Sequence, residues 1–145
     1  TALAGETADV RGVESVGDYS EIARDATAVA ADTGAVVVAS GATDVVATAD
    51  RAFEIEAGHE LMGRFVGTGC MQGVTQAVFA GAVAETLDAV LAGTLAYGRA
   101  GERAAAGAYG DFEGSASYRT AFLDAIAGLA AAEAAPDEER ITELD

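Results

Sequence analysis

Residues 35–39 read Ala-Val-Val-Val-Ala, five apolar positions in a row directly after Gly34. A strand wet on one face alternates apolar and polar residues, whereas an unbroken apolar run describes a strand covered on both faces. The preceding stretch, Tyr19 to Thr33, places Ile22, Ala26 and Val29 on one helical face. Asp18 stands as its N-cap with Glu21 three residues on, and Gly34 as its C-cap. Helix, glycine and doubly covered strand make an α/β unit, and such a strand needs helices on two sides.

The rest of the chain is read around that unit. Asp44 to Thr48 and Ala52 to Glu56 form a hairpin about Ala49-Asp50-Arg51, with Phe53 and Ile55 alternating against Glu54 and Glu56, and its place is expected at the sheet edge. Gly58 to Gly69 reads as a glycine-rich loop. Three helices close the fold. The first begins after Cys70, with Val74, Val78 and Phe79 sharing its inner face. The second runs from Val83 to Ala106, with Val83, Leu87, Leu91 and Leu95 at steps of four and with Ala92, Gly93, Ala96, Gly98, Ala100 and Gly101 permitting close packing. The third runs from Ser115 to Ala132, with Tyr118, Phe122, Ile126 and Leu129 inward. Pro136 to Asp145 is a charged tail, expected as a short helix or a frayed end. Three strands and four helices in this order form the closing half of an α/β sandwich, whose sheet calls for partners.

Composition narrows the class of function. The 145 residues carry 24 acidic and 8 basic side chains, all of the latter Arg, for a formal charge of −16. A nucleic-acid binder needs clustered Lys and Arg, so that class is excluded. One Cys makes no internal disulfide. No apolar run reaches the ~18 residues of a membrane span, and the opening Thr1-Ala2-Leu3 lacks the pattern of a signal peptide. Half of the residues are hydrophobic, so the acidity belongs to a folded surface and not to disorder. A lysine-free, acidic, Ala- and Gly-rich chain fits a salt-rich cytoplasm, where a Debye length of ~3 Å at molar salt screens surface repulsion.

Gly67-Thr68-Gly69-Cys70 is the candidate site. Two glycines admit φ > 0 and close approach of a ligand. The helix that follows aims its first N–H groups and the positive end of its dipole at the bend, which suits an anion. Cys70 falls in the first turn, where a thiol is readily put to chemical use. By themselves, a Gly-x-Gly turn is a common packing device and a lone Cys a common small core residue. His59 reads as a polar loop residue, and Arg64 as either a phosphate contact or a partner of nearby acids. Asp111 and Glu113 lack a completing ligand set, so no metal ligand is assigned.

Residues 58–71, Gly-His-Glu-Leu-Met-Gly-Arg-Phe-Val-Gly-Thr-Gly-Cys-Met, resemble the signature of hydroxyethylthiazole kinases. So do Ala35 to Gly41 with Asp44 shortly after, Ala2 to Gly5 followed by Gly12 to Gly17, and Phe122-Leu123-Asp124-Ala125. The resemblance covers nearly the whole chain before the tail. Cys at position 70 replaces the Asp of most ribokinase-like relatives. The resemblance implies an α/β fold, namely the C-terminal half of a ribokinase-like three-layer αβα sandwich, with residues 1–145 the C-terminal part of a single kinase domain. It implies transfer of the ATP γ-phosphoryl group to the alcohol of 4-methyl-5-(2-hydroxyethyl)thiazole, with Mg²⁺, in a homotrimer. Carried over, Cys70 is the catalytic position, Gly67 contacts the thiazole, Ser40 matches an ATP-contacting Thr, and Gly67, Thr68, Gly69 and Cys70 form the anion hole. The chain departs from the family pattern at Val66, usually Thr, and at Gln72-Gly73, usually a pair such as Leu-Ser, departures expected to bear on the helix start. The family runs to about twice this length, and its first half carries most of the thiazole pocket, an ATP-contacting Arg and an acidic Mg²⁺-related motif. Two other readings stay open: another ribokinase-like small-molecule kinase or hydrate dehydratase, which carry Asp at this position, and a non-catalytic nucleotide- or partner-binding domain.

The charge pattern makes a direct prediction. The thermal unfolding midpoint rises as KCl is taken from dilute buffer to molar concentration, because the same charges oppose the compact state when unscreened. A midpoint indifferent to KCl rejects the salt-adapted reading.

Overall fold

The computed structural model describes residues 10–11, 14–15, 19–129 and 138–145. Strands β1 (Val10–Arg11) and β2 (Glu14–Ser15) form a small antiparallel pair. Helix α1 (Tyr19–Thr33) leads into β3 (Val37–Ala39), β4 (Asp44–Ala47) and β5 (Ala52–Ile55). A 3₁₀ turn (Glu60–Arg64) interrupts the loop before α2 (Thr68–Ala82), α3 (Thr86–Ala105) and α4 (Ser115–Ala127). A second 3₁₀ turn (Glu138–Arg140) precedes β6 (Ile141–Leu144). The third helix, expected to reach Ala132, ends at Ala127 with Gly128 as its C-cap. The expected N-cap Asp18, the segments Ala2 to Gly5 and Gly12 to Gly17 apart from Glu14–Ser15, and the positions beyond Leu129 up to 137 lie outside the described residues.

Helix α1 keeps its expected bounds. Gly34 ends it at φ 69°, its N–H bonded to the Ala30 carbonyl at 2.8 Å. The four-stranded sheet runs β3-β4-β5-β6, antiparallel throughout. Strict alternation divides its two faces. Val37, Ala39, Val45, Ala47, Ala52 and Leu144 pack with Ala23 and Ala26 of α1. Val36, Val38, Val46, Phe53, Ile55 and Ile141 pack with Val90, Leu91 and Leu95 of α3. The result is a helix–sheet–helix sandwich. The apolar run at 35–39 does contact both layers, although β3 is only half-buried; β4 is the strand buried at every position.

Two expectations about the sheet change. The β4–β5 hairpin is interior and not at the edge, because β3 flanks it on one side and β6 on the other. Where it is described, the charged tail, expected as a short helix or a frayed end, is a single 3₁₀ turn at Glu138–Arg140 followed by strand β6. Ile141↔Ile55 and Leu144↔Ala52 pair in register and put one apolar residue on each face. Arg140 reinforces the join, its Nη1 lying 2.6 Å from Glu102 Oε1, which also accepts from the Gly58 N–H at 3.1 Å. Arg51 and Glu143 pair across the surface at 2.7 Å.

Helix α3 begins at Thr86, three residues later than expected, and its small residues admit neighbours on several sides. A Cβ on Gly93 would meet Gln76 and Phe79 of α2 at 3.2 Å, and one on Gly98 would lie 2.6 Å from the Ala57 backbone. One on Gly101 would collide with the Met62 thioether. On the remaining side Tyr97, Ala100 and Ala104 join Tyr118, Ala121, Phe122 and Ala125 of α4 in a second core. The Tyr97 and Phe122 rings meet edge to face at 5.1 Å, and the buried Tyr118 hydroxyl donates to the Gly101 carbonyl at 3.0 Å. Burial pushes the Tyr118 phenol up to about 12, so it remains a donor at any working pH.

The two kinds of helical glycine should respond oppositely to Ala. Gly98→Ala forces a methyl into backbone and should cost about 1–3 kcal/mol in denaturant unfolding. Gly73→Ala, in α2 with nothing within 4 Å of the added carbon, should gain up to about 1 kcal/mol from helix propensity. A neutral Gly98→Ala would show that α3 does not sit against Ala57 as described.

Candidate functional site

The first turn of α2 is reached through Gly67, whose φ of 109° and ψ of −3° lie in the left-handed region. A side chain is rarely tolerated there. Gly67 is the N-cap, its carbonyl accepting from the Met71 N–H at 3.0 Å, and no side chain caps the turn. Gly69 and Cys70 are exposed, Gly67 and Thr68 half-buried. The bend is thus open to solvent at Gly69 and Cys70, and a helix opening leaves its first amides without intrahelical partners, as an anion site requires.

The tetrad does not stand alone. A Cβ on Gly69 would lie 3.3 Å from Ser40 Oγ. The turn that follows β3 thus brings the Ser40 hydroxyl against the opening of α2, and the two segments singled out separately in the sequence form one surface. Glycine at 69 is what lets them approach.

Buried polar contacts hold this arrangement. Asp44, at the start of β4, accepts from the Gly41 N–H at 2.9 Å through Oδ1 and from Gln72 Nε2 at 2.6 Å through Oδ2. Burial raises the pKa of its carboxyl, against the lowering effect of the two hydrogen bonds. Tyr97 of α3 donates its hydroxyl to the Thr68 carbonyl at 2.7 Å, and burial pushes its phenol upward. One turn further along α2, Gln76 Nε2 donates to Thr94 Oγ1 at 2.8 Å.

These bonds reverse the expected orientation of α2. Val74 and Val78 are 67 % and 66 % exposed, while Gln72 and Gln76 are buried; only Phe79 of the expected inner face packs inward, against Gly93. The glutamines turn in because Asp44 and Thr94 wait there as buried partners, and a buried polar group left unpaired is costly. Gln72, a departure from the family pattern expected only to affect the helix start, is in fact part of the support of the site. Sequence reasoning missed Asp44, Gln72 and Tyr97 in this role. The signals available were an Asp three residues after Gly41 and two glutamines at i, i+4.

The weaker candidates resolve into structural roles. His59 Nδ1 accepts from the Leu61 N–H at 3.3 Å and caps the 3₁₀ turn. Arg64 pairs with Glu60 at 3.1 Å, on an exposed surface. Asp111 and Glu113 are exposed in the loop before α4. Among the described residues no three His, Cys, Asp or Glu side chains are grouped to hold a metal ion. Both oxygens of Asp44, the buried carboxylate behind the site, are engaged. The described residues of the site offer amides and a hydroxyl that suit an anion, and among them no ligand set for Mg²⁺ is grouped. Among the described residues no helix is long and apolar enough to cross a membrane.

Comparison with known proteins bears on the family and the fold. A family model described as the hydroxyethylthiazole kinase family matches residues 1–132. The chain is 59 % identical over 140 residues to a hydroxyethylthiazole kinase of Natronomonas pharaonis, covering 95 % of this chain and 49 % of the relative. It is 56 % identical over 144 residues to a hydroxyethylthiazole kinase of Haloquadratum walsbyi, covering 99 % and 48 %. Both sources are halophiles. A solved structure of a hydroxyethylthiazole kinase protein from Pyrococcus horikoshii superposes with a TM-score of 0.70 at 26 % identity, covering 88 % of this chain and 48 % of that one. The chain spans about half the length of the curated relatives it matches. With this fold, this bend and these relatives, the chain belongs to the hydroxyethylthiazole kinase family.

Proposed function

We propose that this chain supplies the phosphoryl-transfer site of a hydroxyethylthiazole kinase, which moves the ATP γ-phosphoryl group to the alcohol of 4-methyl-5-(2-hydroxyethyl)thiazole. Residues 1–145 are the C-terminal part of a single ribokinase-like domain, working in the cytoplasm as a homotrimer. The observation that carries the reading is the uncapped opening of α2 behind a left-handed Gly67, with Ser40 Oγ against Gly69 and Cys70 exposed in the same turn. The outward row of α2, with Val74 and Val78, is apolar, as a helix inside a larger body would be.

Phosphoryl transfer passes through a loose transition state, so position and charge stabilisation dominate. In this reading the amides from Gly67 to Cys70 hold the transferring group, and losing one such preorganised donor typically costs ~3 kcal/mol. Ser40 donates its hydroxyl to an ATP phosphate, and Gly67 leaves room for the thiazole beside the bend. Cys70 accepts or orients the proton of the attacking alcohol. Mg²⁺ accompanies the nucleotide and would neutralise phosphate charge; no ligand for it is assigned in this chain.

The test is an assay in high salt with ATP, Mg²⁺ and a panel of small heterocyclic alcohols, using the polypeptide that carries this sequence together with the remaining family length. Turnover of the thiazole alcohol above the rest of the panel is expected. Cys70→Ser should lower kcat by about 10²-fold or more, the range of general-base assistance, with ATP binding retained. Unchanged turnover would reduce Cys70 to a lining residue, and turnover of a different alcohol would reassign the acceptor.

A further inference from the structure

We propose that Asp44 is a positioning residue that ties the Ser40–Gly41 turn to the opening of α2, so that the two parts of the phosphoryl site are held in one register. The inference rests on the phosphoryl-site reading above and adds residues to it. Ser40 is carried by the turn after β3, the amides of Gly69 and Cys70 by α2. Backbone hydrogen bonds of strand and helix fix each part within its own element and leave their separation free. Asp44 spans that separation. One carboxylate oxygen takes the Gly41 N–H at 2.9 Å, next to Ser40, and the other takes Gln72 Nε2 at 2.6 Å, two residues beyond Cys70. Asp44 is 8 % exposed and Gln72 4 %, so water competes weakly for either bond. In the same helical turn, Tyr97 holds the Thr68 carbonyl to α3 at 2.7 Å. The first turn of α2 is thereby anchored from both sheet and helix, while its exposed end stays open.

The geometry distinguishes shape from charge. Asn at this position can accept from Gly41 with Oδ1 and donate with Nδ2 to Gln72 Oε1 once that amide rotates by half a turn. Ala can do neither. A positioning role therefore survives Asp44→Asn and is lost in Asp44→Ala. A role for the negative charge itself fails in both.

The experiment uses the polypeptide that carries this sequence together with the remaining family length, in molar KCl, followed by NMR. Two quantities are read: the exchange rate of the Gly41 amide, with the Val46 amide as a reporter of global stability, and the shifts of Ser40, Gly69 and Cys70 on titration with ATP. In the wild type, Ser40, Gly69 and Cys70 are expected to respond with one shared Kd. Asp44→Ala should speed Gly41 exchange and weaken ATP binding, each by about five- to ten-fold, the worth of a net hydrogen bond of ~1 kcal/mol. Asp44→Asn should leave exchange near wild type and ATP binding equal or tighter. Should Asp44→Ala not fold, Gln72→Leu cuts the helix arm alone and should weaken ATP binding while Gly41 exchange stays slow. ATP binding unchanged in Asp44→Ala, or in Gln72→Leu where that variant stands in, overturns the proposal, as does an Asp44→Asn variant as weak as Asp44→Ala. If Gly69 and Cys70 ignore ATP in the wild type, the phosphoryl-site reading falls, and the exchange rates then judge the Asp44 tie by themselves.

Discussion

Close approach to α3 is the constraint on which the remaining elements depend. This helix faces the sheet through Val90, Leu91 and Leu95, α4 through Tyr97, Ala100 and Ala104, and α2 through Gly93. Two apolar cores meet on it, and the loop carrying Ala57 and Met62 rests on its glycines. A side chain on Gly98 or Gly101 would lift that loop away, and the loop is the chain's route from the sheet to the bend at Gly67. The site is thus placed by packing some distance from it. The same helix offers the Tyr97 hydroxyl that holds Thr68, so packing and site geometry share one support.

Much of this was legible in the residues. Gly34 after a periodic helix, the apolar run behind it and the alternation of Phe53 and Ile55 identify an α/β unit and its hairpin. The small residues of α3 announced tight packing, and the tetrad Gly67 to Cys70 announced a helix opening. What stayed hidden had a common cause. Helical period says which residues share a face and not which way that face points. For α2 the arbiters were Asp44 and Thr94, buried on other elements, which draw in Gln72 and Gln76 and leave Val74 and Val78 outside. The tail was misread for a related reason. Its charges, Glu139, Arg140, Glu143 and Asp145 among them, mask two apolar residues, Ile141 and Leu144, which suffice to fill the two faces of an edge strand.

The acidic surface and the site coexist because they are separated. Surface charge answers to the solvent and is screened within a few ångström at molar salt. Asp44 lies beneath the surface, where salt has little access, and its two donors are amides and not cations. The pairs Arg51–Glu143 and Arg140–Glu102 lie at exposed or half-exposed positions. Such pairs contribute little individually. At the site the buried carboxylate is held by amide donors, where geometry must be kept.

The pairing of β6 with β5 also bears on how the molecule is made. Arg51 and Glu143 are 92 residues apart, and every bond of that ladder joins segments separated by a similar length. At the usual ~5–20 residues per second, a ribosome needs roughly 5–20 s to deliver the later strand after the earlier one. For that interval Phe53 and Ile55 belong to an unpaired edge, the kind of template that invites a neighbouring nascent chain. The arrival of β6 is therefore the step that covers this edge of β5, and shielding it on the polysome until then becomes part of the cost of this topology.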